Sequence, residues 1–128
     1  MEKIPVCIGE IFDKYSILDI KNEKIEDEEK LKHVRKEMSH LEPILSKYKL
    51  DKNIYLSLKK INLTIWDCED IIRKKHFKNE FDNEFIDLAK TIYTVNDERA
   101  VLKRKINKIF NSEIVEVKKY IKYNNIDI

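Results

Sequence analysis

Apolar residues recur along this chain in steps of three and four, and the chain contains one glycine and two prolines. That pairing constrains the fold more than any other feature. A step of three or four keeps one face of a helix inward. Sheets and tight turns draw on glycine and proline for special backbone angles, and this chain has almost none to give. The sequence therefore predicts an all-α protein, an antiparallel bundle of four main helices plus a short C-terminal helix. The chain has 128 residues, enough for one core but not for two, so a single domain over 1–128 is expected.

The elements follow from the pattern. Residues 1–8 read as a short extended arm, because Pro5 disfavours helix, and Gly9 reads as an N-cap. The first helix runs from about Glu10 to Ile25, with Ile11, Tyr15, Leu18, Asn22 and Ile25 inward. Asp27 caps the second, whose stripe is Leu31, Val34, Met38, Leu41, Leu45 and Tyr48, with a kink or break expected at Pro43. Asp51 caps the third, with Ile54, Leu58, Ile61, Ile65, Cys68 and Ile72 inward. Asn79 to Asn83 form a turn, and Asp82 caps the fourth. Its stripe is Phe85, Leu88, Ile92, Val95, Arg99, Leu102, Ile106 and Ile109. Asn111 and Ser112 break that helix, a short one follows over Glu113 to Tyr123, and 124–128 form a frayed tail. Heptad face left uncovered by this arrangement leaves room for a homodimer.

Charge excludes some functions. Twenty-six basic and 24 acidic residues give a net +2, with the signs interleaved, whereas a nucleic-acid binder concentrates basic charge on one face. No nucleic acid is expected as partner. No signal peptide or membrane span is read, so a cytoplasmic protein is expected, or one of the host cytoplasm if viral. Cys7 and Cys68 are too few for a structural zinc site, and His33 and His40 share a helix face without a third ligand. No metal and no cofactor is expected. The spacing Asp67-x-x-Asp70 with Glu84-x-x-Asp87 imitates the Mg²⁺ motifs of helical pyrophosphohydrolases, but Asp70 projects away from its stripe.

Two polar patterns remain. Arg99 stands where the heptad calls for an apolar side chain. A guanidinium stays charged and is costly to bury alone, so it needs a carboxylate, an anionic ligand or a route to the surface. Beside the stripes, three lines of polar residues run along helices. They are Glu10, Lys14 and Lys21 on the first, Asn62, Trp66, Glu69 and Arg73 on the third, and Asn96, Lys103 and Asn107 on the fourth. Boundary positions commonly carry long charged side chains with buried stems, and Glu69 with Arg73 can be a plain surface pair. If the lines converge, they build a cleft for a small anionic ligand resembling a nucleotide or sugar phosphate. Lys14, Lys21, Arg73, Arg99 and Lys103 would supply charge, Asn96 and Asn107 hydrogen bonds, and Trp66 a stacking surface. Catalysis in the same cleft on a phosphorylated or glycan-related substrate would need Glu10 or Glu69 as acid or base.

The segment Val6 to Lys21 (VCIGEIFDKYSILDIK) resembles the opening of an uncharacterised family, domain of unknown function 6165. The pattern GE-x-x-DK carries that likeness. Further along, W-D-x-E-D-x-I-R from Trp66 and ND-x-RA-x-LKR-x-IN from Asn96 are similar to it too, and the likeness covers nearly the whole chain. It implies that Gly9, Glu10, Asp13, Lys14, Lys21, Trp66, Glu69, Arg73, Asn96, Asp97, Arg99, Lys103, Arg104 and Asn107 are family-type positions. It also implies a bacterial or viral setting without an established activity. A viral member could sequester a host nucleotide. Proximity to surface-glycan genes suggests a third role, as a helical scaffold in glycan assembly. The ending EVKKY, Glu116 to Tyr120, departs from the family's EEKSY-like pattern and leaves the last helix's role open.

Overall fold

A computed structural model describes residues 1–124. It contains four helices, α1 (Ile8–Lys24), α2 (Glu28–Leu45), α3 (Lys52–Phe77) and α4 (Asn83–Ile109). Three of the expected caps form. Asp27 accepts from the amides of Glu29 and Lys30, Asp51 from Asn53, and Asp82 from Phe85. Each carboxylate satisfies amides that the first helical turn leaves without partners. The turns after α3 and α4 carry Asn79 and Asn111 at positive φ, a region asparagine tolerates better than most residues. Pro43 lies in the last turn of α2, two residues before the helix ends.

The arrangement is an all-α bundle centred on α1. That helix packs on all three others, α3 and α4 pair along their length, and α2 packs on α1 alone. Two apolar clusters result. Ile8, Phe12, Leu58 and Ile106 form one, closed by Tyr48, Phe110 and their neighbours. Leu18, Val34 and Met38 form the other, between α1 and α2. The apolar stripe expected on α1 is its α2-facing side: Leu18 is buried and Tyr15 and Ile25 pack beside it. Its second buried side holds Phe12, Asp13, Ser16 and Ile20. No helix among the described residues is long and apolar enough to cross a membrane.

Two expectations change at the chain ends. Helix α1 starts at Ile8, with Cys7 as its N-cap, and Gly9 lies inside the first turn. The amides at this end find partners elsewhere. Ile8 N donates to Ser112 Oγ at 3.2 Å and Gly9 N donates to Asn107 Oδ1 at 2.6 Å. The short C-terminal helix does not form, since residues 113–123 carry no helix. Ile114, Val115 and Val117 are β-branched and lose rotamer freedom in a helix. The segment instead runs back along α4 as an extended strap. Ser112 anchors it beside α1, Glu116 reaches Lys103, and the Tyr123 ring meets Tyr93 edge-on. The tail expected at 124–128 lies, apart from Asn124, outside the described residues.

At Gly9 the backbones of α1 and α4 approach too closely for a side chain. A Cβ at that position would stand 2.5 Å from the Lys103 carbonyl oxygen and 2.9 Å from Asn107 Oδ1. The first neighbour is helix backbone and cannot swing aside. Gly9→Ala is expected to destabilise the fold by about 1–3 kcal/mol, the usual cost of overpacking. Urea unfolding followed by circular dichroism measures this; a change within error of zero would show that the helices can part at that point.

Candidate functional site

Asp13 projects from α1 into the junction with α3 and α4, with only 1% of its surface exposed. A carboxylate so placed needs several donors. Arg99 Nη2 lies 3.1 Å from Oδ2, and Asn62 Nδ2 donates to Oδ1 at 2.9 Å. Lys103 Nζ stands further off at 3.9 Å. The Asn62 amide also reaches Ser16 Oγ at 2.8 Å, and that hydroxyl donates to the Asp13 carbonyl at 2.7 Å. The guanidinium in the α4 heptad is thus the counter-charge of a buried carboxylate. Arg99 also reaches Asn96 Oδ1 at 3.5 Å, the long limit for a hydrogen bond.

Lys103, one helical turn on, is buried as well. Its ammonium is 2.6 Å from Glu10 and 2.8 Å from Glu116 of the strap. Burial works to lower the Lys103 pKa, but the hydrogen bonds it donates to Glu10 and Glu116 and the charge of Asp13 outweigh it, so it stands above the ordinary value. Glu116 shifts the other way. Lys103, and then Lys118, hold its carboxyl down at about 2. Lys118 ion-pairs with Glu116 and is shifted upward by that contact.

On the other side of Arg99 opens a cleft of about 290 Å³. Ile17, Ile20 and Ile65 give it an apolar floor, and Trp66 lines it. Asn62, Glu69, Asp70, Arg73 and Arg99 supply its polar groups. Glu69 accepts from Arg73 Nε at 3.3 Å, an exposed pair of small energetic weight.

The polar lines separate accordingly. The α3 line, Asn62, Trp66, Glu69 and Arg73, faces the cleft and meets Arg99 there. The α1 line does not: α1 contributes Ile17 and Ile20. Lys14 pairs with Glu37 at 3.0 Å on the surface, and Lys21 is half-buried outside the cleft lining. Glu10, Lys103 and Asn107 belong to the α1–α4 junction under the strap, where Asn107 receives the Gly9 amide. Asn96 touches only the edge of the site, through Arg99. Of the two carboxylates considered as acid or base, Glu69 faces the cleft and Glu10 does not.

Periodicity alone missed Asp13, Ile17 and Glu116. Asp13 had one signal, a charge-bearing heptad position on α4 that demands an acidic partner. Ile17 and Ile20 are three apart on the side of α1 away from α2, a second apolar face that the single-stripe reading passed over. For Glu116, the alternation of Val115 and Val117 with Glu116 and Lys118 has the period of extended chain.

A family model described as a family of unknown function (DUF6165) matches residues 2–126. No curated protein and no solved structure matches the chain.

The network generates two predictions. Removing one partner of a buried ion pair leaves the other uncompensated. Asp13→Ala is therefore expected to cost about 3–5 kcal/mol, and Asp13→Leu combined with Arg99→Met to recover much of that loss. Chemical denaturation of both variants checks this, and equal losses in the two would mean that charge compensation is not the cause. The second prediction concerns pH. Glu116 is depressed from an unfolded value of 4.5 to about 2, so its contribution is complete above the unfolded value and is lost as pH falls through the folded one. The Glu116 carboxyl carbon followed by NMR is expected to titrate near 2, and in Lys103→Met to move back toward the ordinary range.

Proposed function

Since the chain belongs to the family of unknown function DUF6165, we propose its role from the geometry: it is a small-molecule binding module whose ligand carries one ring and one phosphate-like group. The observation that carries this reading is the cleft that brings Trp66, Arg73 and Arg99 together. Its volume of about 290 Å³ stands at the lower end of small-molecule sites, about 300–1,000 Å³. That suits a nucleobase or a monosaccharide ring with a single attached group.

The charge balance narrows the ligand further. Two guanidiniums and two carboxylates, Glu69 and Asp70, line the cleft, and Arg99 is already matched by Asp13. The lysines that would have suited a triphosphate, Lys14 and Lys103, are committed elsewhere. A near-neutral cleft favours a monophosphate ester or carboxylate over a polyphosphate. The isoleucine floor and the Trp66 indole take the ring. Arg73, on the open side, takes the anionic group by exchanging its weak contact with Glu69 for a charge-assisted one. In this reading the protein works in a reducing cytoplasm, its own or a host's, where Cys7 and Cys68 remain thiols.

Trp66 is the only tryptophan in the chain, so its fluorescence reports on the cleft directly. Titration with nucleoside monophosphates and sugar phosphates is expected to give a saturable change with at least one of them. Arg73→Ala should weaken that binding about tenfold, equivalent to ~1.4 kcal/mol, with unfolding midpoint unchanged. The matching triphosphate should bind no more tightly than the monophosphate. Absence of saturable change with any of these ligands at millimolar concentration would falsify the proposal.

A further inference from the structure

The α3 line does not stop at Arg73. Asn62, Trp66, Glu69, Arg73 and Phe77 follow one another in steps of four, three, four and four, so they form one row on one side of the helix. Helix α1 covers only the start of that row. At 1.5 Å per residue α1 is about 25 Å long and α3 about 39 Å, so the outer part of the α3–α4 hairpin extends beyond α1. Helix α2 packs on α1 alone. From Leu63 to Asn96 no apolar side chain is buried; the buried residue in that stretch is Lys75. Phe77, at the end of the row, is 89% exposed. A two-helix hairpin with a half-open apolar seam and a bare phenylalanine is a surface short of a partner.

We propose that the partner is a second copy of this chain, packed antiparallel along the same row about a two-fold axis. The charges select it. Glu69 and Arg73 are of opposite sign and four residues apart. A two-fold axis passing midway between them, at the height of residue 71, sets Glu69 of each copy against Arg73 of the other. In that register the positions facing each other sum to the same number, and Phe77 of one copy falls opposite Ile65 and beside Trp66 of the other. The bare phenylalanine then covers the mouth of the neighbouring cleft, so the second copy and a cleft ligand compete for the same face. In that register residues 65–77 of the two α3 helices face each other, about 20 Å of helix over a width of two helices, roughly 20 Å, which gives a total buried area of about 800 Å². This is the size of a weak, transient contact, so the dimer forms only at high micromolar concentration or above. The inference goes beyond the ligand reading and does not require it.

Sedimentation equilibrium across a dilution series of the full chain tests it. The mass is expected to rise from monomer to dimer, with Trp66 emission moving to shorter wavelength as Phe77 of the second copy covers it. Phe77→Asp should give a monomer and abolish that shift. Glu69→Arg and Arg73→Glu should each weaken the dimer at least about tenfold by opposing like charges. The two together should restore it, an outcome that the intrahelical pair alone cannot produce in a mass measurement. A strict monomer at millimolar concentration overturns the proposal. So does a dimer that persists in Phe77→Asp, or one that the double exchange fails to restore. Ligand titration of the Phe77→Asp chain tests the cleft independently of the dimer.

Discussion

A single buried carboxylate sets the geometry of this bundle. Asp13 stands where three helices meet, and its oxygens are satisfied from two of them, by Asn62 on α3 and Arg99 on α4. An apolar contact tolerates sliding, because it is not directional. A buried charge with named donors does not: shifting α3 or α4 by one residue would leave it bare, at a cost of several kcal/mol. The network therefore selects helix register and rotation more than it adds stability. Directly beside it the Gly9 seat presses α1 onto α4, so axial position and interhelical distance are fixed within one turn.

The rest of the molecule is graded outward from that point. On one side lies the dry cluster of Ile8, Phe12, Leu58 and Ile106. On the other lies the outer hairpin, where no apolar side chain is fully buried. The hairpin is held at its tip by Lys75, whose ammonium sits among Glu80, Asp82 and Glu84 at 3.0–3.6 Å. Asp82 pairs with Lys75 while it caps α4, which ties the turn to the helix start. The backbone amide of Phe85, and then Lys75, hold the Asp82 carboxyl below its ordinary pKa. The cleft opens at the boundary between the packed end and the open one. A concave site is cheapest to form there, because the missing helix leaves space that no side chain has to vacate.

Much of this was legible in the sequence, and the reasons are local. Asp27, Asp51 and Asp82 declare helix starts because a cap needs only its own next three residues. The stripes of α2 and α3 were legible because each helix turns one principal apolar side inward, whereas that of α4 was legible only in part: Ile106 is buried, but Ile109 is half exposed and Asp97, Lys103 and Asn107 are buried off the stripe. Helix α1 was half legible because it is central: burial on two sides breaks the single stripe that periodicity detects. Arg99 was legible as an anomaly, yet its partner was not, since a charge on a heptad position says only that an opposite charge exists somewhere. The strap was lost for a similar reason. Glu116 takes its conformation from Lys103, which lies thirteen residues back along the chain on α4, and no window of local propensity contains that contact.

The row on α3 connects these levels. Its inner residue, Asn62, is buried and belongs to the Asp13 network. Trp66, Glu69 and Arg73 line the cleft, and Phe77 is bare. One helix face therefore passes from the buried network through the cleft wall to solvent in about four turns. That continuity matters for Arg99. A free arginine carries about 2 kcal/mol of rotamer entropy that a ligand would have to overcome. Here Asp13 already holds one edge of the guanidinium, so the group is fixed where it lines the cleft. The anomaly in the heptad thus has a physical use: the ion pair that aligns the helices also preorganises a donor at the edge of the cleft.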